Sequence, residues 1–158
     1  MKHLLAVLRV CTCAFVVQIM GVGTQLSAAD FVFTTIPDQD ETNLRARFGK
    51  VASYLEEALA VEVTYIPVKS YAAAVTAFQN NEVQLAWFGG LSGVRARLLV
   101  PGSEAIAQGI EDQSFVSYFI ANTRTELSAS DEFPEGIAGL NFTFGSQGST
   151  SGRLMPEF

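Results

Sequence analysis

The chain has 158 residues, 49% of them hydrophobic, with one histidine, two cysteines and a formal net charge of −6. His3, Cys11 and Cys13 all lie near the N-terminus, so the remainder holds no Ser-His-Asp or Cys-His catalytic set, no disulfide and no histidine metal site. Nothing forms a basic patch, which excludes nucleic acid as an expected partner, and no motif calls for a cofactor.

Lys2 and His3 precede an apolar run over residues 4–22, interrupted by Arg9, Thr12 and Gln18, and Ser27-Ala28-Ala29 supplies the small residues a signal peptidase reads. Residues 1–29 are therefore expected to be a secretion signal. Arg9 leaves an uninterrupted run shorter than the ~20 residues of a membrane-spanning helix. Neither cysteine follows the leucine-small-small pattern of a lipidated one, which points to a freely soluble export product. Cleavage after Ala29 leaves 158 − 29 = 129 residues. Loss of Lys2 and Arg9 takes ten basic residues to eight against sixteen acidic ones, a net charge of −8. A protein this acidic can hold an anion only with local dipoles and hydroxyls.

Residues 31–36, β-branched and aromatic, predict a strand that ends at Pro37-Asp38-Gln39-Asp40. Leu44, Phe48, Val51, Leu55, Ala58 and Leu59 recur at helical spacing. Val61, Val63 and Tyr65 alternate with polar residues and predict a second strand, closed by Ile66-Pro67-Val68. Tyr71, Ala74, Val75 and Phe78 mark a second helix with Ser70 as its N-cap. Residues 84–88 predict a third strand whose Trp87 and Phe88 belong to the core, residues 91–99 a third helix, and residues 105–110 a fourth strand. Alternating strands and helices predict an α/β fold with a parallel sheet, in which ligands gather at the carboxyl ends of the strands.

After a polar break at residues 109–113, residues 115–121 carry apolar side chains on both faces and predict a long strand. Residues 30–113 are expected to form a complete first lobe, and residues 114–158 a hinge strand and the start of a second. Two strands and the beginning of a helix are marginal on their own, so the second lobe reads as only begun and the chain as C-terminally truncated.

The last segment carries the chemistry. Phe142-Thr143-Phe144 predicts a short apolar strand that runs into Gly145-Ser146-Gln147-Gly148, and Ser149, Thr150 and Ser151 sit where a helix should start. Unpaired amides at a helix N-terminus, glycines that admit close backbone approach and hydroxyl donors make a site for a tetrahedral anion. An ordinary serine N-cap is the alternative. A nucleophile elbow is excluded because the centre of Gly148-Ser149-Thr150-Ser151-Gly152 is threonine and no histidine is available. A nucleotide phosphate loop is excluded because the loop has no lysine.

Four segments in order carry a family likeness: Ile36-Pro37-Asp38-Gln39-Asp40, Ser70-Tyr71-Ala72-Ala73-Ala74-Val75, Ala86-Trp87-Phe88-Gly89-Gly90-Leu91-Ser92-Gly93 and Gly145-Ser146-Gln147-Gly148-Ser149-Thr150-Ser151-Gly152-Arg153-Leu154-Met155-Pro156. With them the chain resembles the periplasmic substrate-binding proteins of phosphate, phosphite and phosphonate ABC importers, of the type II periplasmic binding fold. The resemblance implies two lobes that close on an oxyanion, a periplasmic location, no enzymatic activity, an inner-membrane ABC permease as partner and a monomeric receptor. It further implies that Ser149, Thr150 and Ser151 grip the oxyanion from the second lobe while Tyr71 contacts it from the first. Members that take aminoalkyl phosphonates carry a second tyrosine where this chain has Gly93, which leaves room for a bare oxyanion. The Trp-Phe-Gly-Gly-Leu-Ser-Gly version is similar to a branch labelled as selenate binders.

The remaining candidates each keep an alternative. Gly89 and Gly90 suit close backbone approach, and Ser92 could cap or bind. Asp38 could accept from a protonated ligand oxygen or belong to a solvated turn. Tyr71 could be the first core contact of its helix. Arg153 could pair with an anion or face water. For the whole chain, a ligand-binding sensor module of the same fold is the rival reading, followed by an enzyme on this fold and by a half-cleft that encloses nothing.

Overall fold

The computed structural model describes residues 31–132 and 135–158; the expected signal peptide lies outside them. Three strands and three helices alternate: β1 (Phe31–Thr35), α1 (Glu41–Leu59), β2 (Val63–Tyr65), α2 (Tyr71–Gln79), β3 (Leu85–Trp87) and α3 (Gly90–Leu99). The sheet has the order β2-β1-β3, parallel throughout, with Phe33 opposite Tyr65 on one side and Leu85 on the other. This is the α/β class the alternation predicts.

Strand β1 is central and its two faces are filled differently. On one, Phe33 meets Leu44 and Phe48 of α1 and Val63 of β2 in the core cluster. The ring centroids of Phe33, Phe48 and Tyr65 lie 5.3–6.3 Å apart, within the favourable range for aromatic pairs. Two buried polar residues of β1 are satisfied: Thr34 Oγ1 donates to the Ile66 carbonyl at 2.6 Å, and Thr35 Oγ1 lies 3.1 Å from the Tyr65 hydroxyl. Helices α2 and α3 pack on each other with the small buried residues Ala74, Ala77 and Ala96, while Phe78 meets Phe88 edge-on.

Side chains set the helix starts. Asp40 caps α1, accepting from the Asn43 amide at 3.0 Å, which places the start of this helix ahead of its first apolar contact, Leu44. Ser70 caps α2 through the Ala73 amide at 3.0 Å, as its position predicts. Helix α1 stops where Ala60 adopts a left-handed conformation and returns its N–H to the Glu56 carbonyl.

Four expectations are corrected. Trp87 is 39% exposed rather than core, because it ends the short edge strand β3. No strand forms over residues 105–110, where Ile106 and Ile110 are exposed. None forms over residues 115–121 or 142–144 either. These segments are rich in apolar residues, yet among the described residues no strand lies alongside to take their backbone hydrogen bonds. Phe119, Phe142 and Phe144 form instead a chain of ring contacts at 5.9 and 4.9 Å. Among the described residues no helix is long and apolar enough to cross a membrane.

Candidate oxyanion site

The parallel order brings the loops after β1, β2 and β3 to one end of the sheet, and each loop feeds a helix N-terminus. The first-turn amides of α2 and α3 therefore open on the same side as Asp38, Tyr71, Gly89 and Gly90. The hydroxyl-rich segment 146–154 closes over that end. It bounds a cleft of about 710 Å³ lined by Pro37, Ser70, Tyr71, Ser92 and residues 146–148.

Segment 146–154 is a compact loop. Its neck is closed by Gly145 and Gly152, the amide of the first donating to the carbonyl of the second at 2.6 Å. A Cβ on Gly145 would lie 3.0 Å from the Gly152 Cα, so a side chain there would press on the backbone of the neck. The Ser149 amide donates to the Ser146 carbonyl at 2.8 Å, and Ser149 Oγ accepts from the Gly152 amide at 3.0 Å. The helix expected from here is a five-residue π-helical turn, Thr150–Leu154, capped by Ser149. Its short length gives it little dipole, so its anion-holding capacity rests on hydroxyls and amides more than on a helix axis.

Three contacts join this loop to the helices that follow β2 and β3. Gly148 is buried against the ring of Tyr71. Ser149 stands near enough to the Tyr71 phenol to act on its acidity. Thr150 Oγ1 accepts from the Leu91 amide at 2.9 Å, near the start of α3. Burial pushes the Tyr71 phenol above its ordinary value; the Ser149 side chain opposes that shift, and the nearby Asp38 carboxylate adds to it. At neutral pH a tyrosine phenol keeps its proton and can donate a hydrogen bond to an anion.

The structure accordingly brings together Tyr71, Ser149, Thr150, Gly89 and Gly90, with Asp38 exposed at the edge. Ser92 is 1% exposed and its hydroxyl donates back to the Gly89 carbonyl at 3.2 Å, which makes it part of the turn that starts α3. Ser151 is half-buried on the same π turn. Arg153 is turned to the Phe144 ring, 4.2 Å from its centroid, and paired with Glu157 at 2.5 Å. Two features escaped the sequence reading. Gly148 is demanded by Tyr71, and Lys69 lines the cleft while bound to Glu41 at 2.6 Å. A glycine directly before the hydroxyl run that begins at Ser149 signals the first; nothing local signals the second. Among the described residues no cluster of acidic, histidine or cysteine side chains could hold a metal.

A family profile described as "ABC transporter, phosphonate, periplasmic substrate-binding protein" matches residues 33–158, and the chain belongs to that family. It is 49% identical over 125 residues to a protein of Prochlorococcus marinus (strain MIT 9301) called "Probable ABC transporter phosphite binding protein PhnD1". It is 26% identical over 129 residues to the "Phosphonates-binding periplasmic protein" of Escherichia coli (strain K12). The alignments cover 78% and 80% of this chain but 42% and 38% of those proteins. The solved structure of PhnD1 from Prochlorococcus marinus in complex with methylphosphonate superposes with a TM-score of 0.64 at 40% identity, over 81% of this chain and 48% of that one. The chain therefore spans about half the length of the relatives it matches. The family consists of substrate-binding components of ABC transporters, not enzymes, and is periplasmic.

Proposed function

We propose that this protein is the periplasmic receptor of an ABC importer for a small tetrahedral oxyanion of the phosphonate or phosphite class. The anion is held where the loop at residues 146–151 meets Tyr71. One observation carries the reading: Tyr71 and the starts of two helices border one cleft in a chain of net negative charge, and residues 146–148 of the hydroxyl loop close it. Hydroxyls and backbone amides replace the water shell of the anion. Charge-assisted hydrogen bonds of this kind contribute about 1.5–3 kcal/mol each.

In this reading Tyr71, Gly89, Gly90 and Asp38 act from a first lobe at residues 30–113. Ser149 and Ser151 act from a second lobe begun at 114–158, and hinge closure presents both lobes to the permease. Residues 1–29 direct export, and the receptor is a monomer. The names of the relatives favour phosphite and methylphosphonate over phosphate and selenate, and Gly93 in place of a second tyrosine agrees with a small ligand.

Titration calorimetry on the whole protein, with phosphite, methylphosphonate, aminoethylphosphonate, phosphate, sulfate and selenate, tests the reading. Tight binding of phosphite or methylphosphonate, lost in the Ser149→Ala/Ser151→Ala double variant, supports it. No heat from any anion in a cooperatively melting protein overturns it, and unchanged affinity in the double variant overturns the site.

A further inference from the structure

Helix α3 starts at Gly90 with Gly89 at its N-cap position, and a glycine offers no side chain to cap with. The first-turn amides of a helix have no acceptor within the helix itself. For α3 the acceptor comes from elsewhere: Thr150 Oγ1 takes the Leu91 amide at 2.9 Å across 59 positions of sequence, in a part-buried setting. The fit is close on the glycine side. A Cβ on Gly90 would lie 3.2 Å from Thr150 Oγ1 and 3.8 Å from its methyl, and one on Gly89 would lie 3.9 Å from the hydroxyl. The two glycines thus leave the space that the threonine side chain enters.

We propose that Thr150 is a positioning residue: it caps α3 from the opposite segment and thereby docks the hydroxyl loop on the first lobe, so that Ser149 and Ser151, not Thr150, face the anion. This rests on the oxyanion reading above and changes one role within it. With its hydroxyl committed to Leu91, Thr150 adds orientation instead of a ligand contact. Gly89 and Gly90 are explained the same way, as clearance for the cap. Ser92, whose hydroxyl is turned back to Gly89, leaves the Leu91 amide to Thr150.

The test compares Thr150→Val, which keeps the shape and removes the acceptor, with Thr150→Ser, which keeps the acceptor. The first readout needs no anion: amide exchange of Leu91 in the full protein. Loss of a helix cap corresponds to about a fivefold change in a local equilibrium, so Leu91 exchange in Thr150→Val is expected to rise by about fivefold or more. Thr150→Ser is expected to stay near wild type, and Gly90→Ala, which crowds the hydroxyl, to follow Thr150→Val. The second readout is methylphosphonate and phosphite affinity, expected to weaken about fivefold in Thr150→Val and to recover in Thr150→Ser. Leu91 exchange unchanged in Thr150→Val overturns the proposal, whatever the anion does. Thr150→Val abolishing binding as completely as the Ser149/Ser151 double variant, with Leu91 exchange at its wild-type rate, overturns it in favour of a direct ligand role. Faster Leu91 exchange in a protein that binds no oxyanion supports the cap and defeats only the functional reading.

Discussion

Gly148 and Tyr71 are packed so closely that a Cβ on the glycine would lie 3.0 Å from Cγ of the tyrosine and nearer still to its Cβ. The obstruction is the root of a ring at the start of α2, which cannot swing away as the tip of a flexible side chain could. Gly148→Ala is therefore expected to lift the 146–151 loop from Tyr71. Overpacking of this kind costs about 1–3 kcal/mol. Oxyanion affinity in calorimetry should fall by at least about tenfold while α1 and the sheet keep their exchange protection.

Tyr71 should make anion binding pH-dependent at the alkaline end. Its phenol is raised above the ordinary value, chiefly by burial, so the folded state holds the proton more tightly than the unfolded chain does. The corresponding stability is fully present below the unfolded tyrosine value, near pH 10, and is lost as pH rises through the higher folded value. Spectrophotometric titration should show one late-ionising tyrosine that disappears in Tyr71→Phe. Asp38→Asn should bring that titration back toward the ordinary range, since the carboxylate adds to the shift.

Glu41 behaves oppositely. Hydrogen bonds from Lys69 and then Arg45 hold its carboxyl below the ordinary value. Its contribution is present above the unfolded glutamate value and lost as pH falls through the folded one. All three side chains are well exposed, so Glu41→Gln should leave the melting temperature at neutral pH within about one degree of wild type. Lys69 lines the cleft, and the same variant frees its ammonium there. Oxyanion affinity at low salt should then rise about two- to threefold, a gain that high salt removes.

The core offers a calibration of stability separate from the site. Phe33 is 2% exposed and touches Leu44, Phe48 and Val63. Phe33→Ala removes a ring that both α1 and β2 pack against and is expected to cost about 3–5 kcal/mol in denaturant unfolding. A cost under about 1 kcal/mol would mean that this cluster is not the core of the folded unit.

The three helices were legible because their apolar positions repeat at helical spacing and Ser70 advertises a cap. The three strands that formed were legible too, each within a few residues. The strands expected near residues 107, 118 and 143 do not form here, because a short apolar run reports local propensity and carries no information about a partner strand. Asp40 read as part of the loop after the first strand, although Asn43 three residues on sits where a capped amide belongs. At the site, the hydroxyl loop could be picked out from composition alone. What Thr150 does could not, since its partner lies 59 residues away and only the fold brings the two together.

Arg95 and Arg97 make a last comparison on a single helix. Arg95 lies one turn after Ser92 and lines the cleft, whereas Arg97 does not. The ion pairs among the described residues engage Arg45, Lys69 and Arg153 but not Arg95, so its guanidinium remains free to act on an approaching anion. In a chain of net charge −6, one cation at the mouth matters chiefly for the rate of capture, because the global field opposes the ligand. Two unit charges several ångströms apart in water interact by about 1 kcal/mol, which corresponds to about a fivefold effect. Arg95→Gln should slow oxyanion association by about that factor in stopped-flow at low salt, with dissociation little changed. Beyond about 0.1–0.15 M salt, where the screening length is about 8–10 Å, the difference should shrink. Arg97→Gln serves as the control with the same change in net charge. Equal slowing in both variants would place the effect in the overall charge of the protein and not in the cleft.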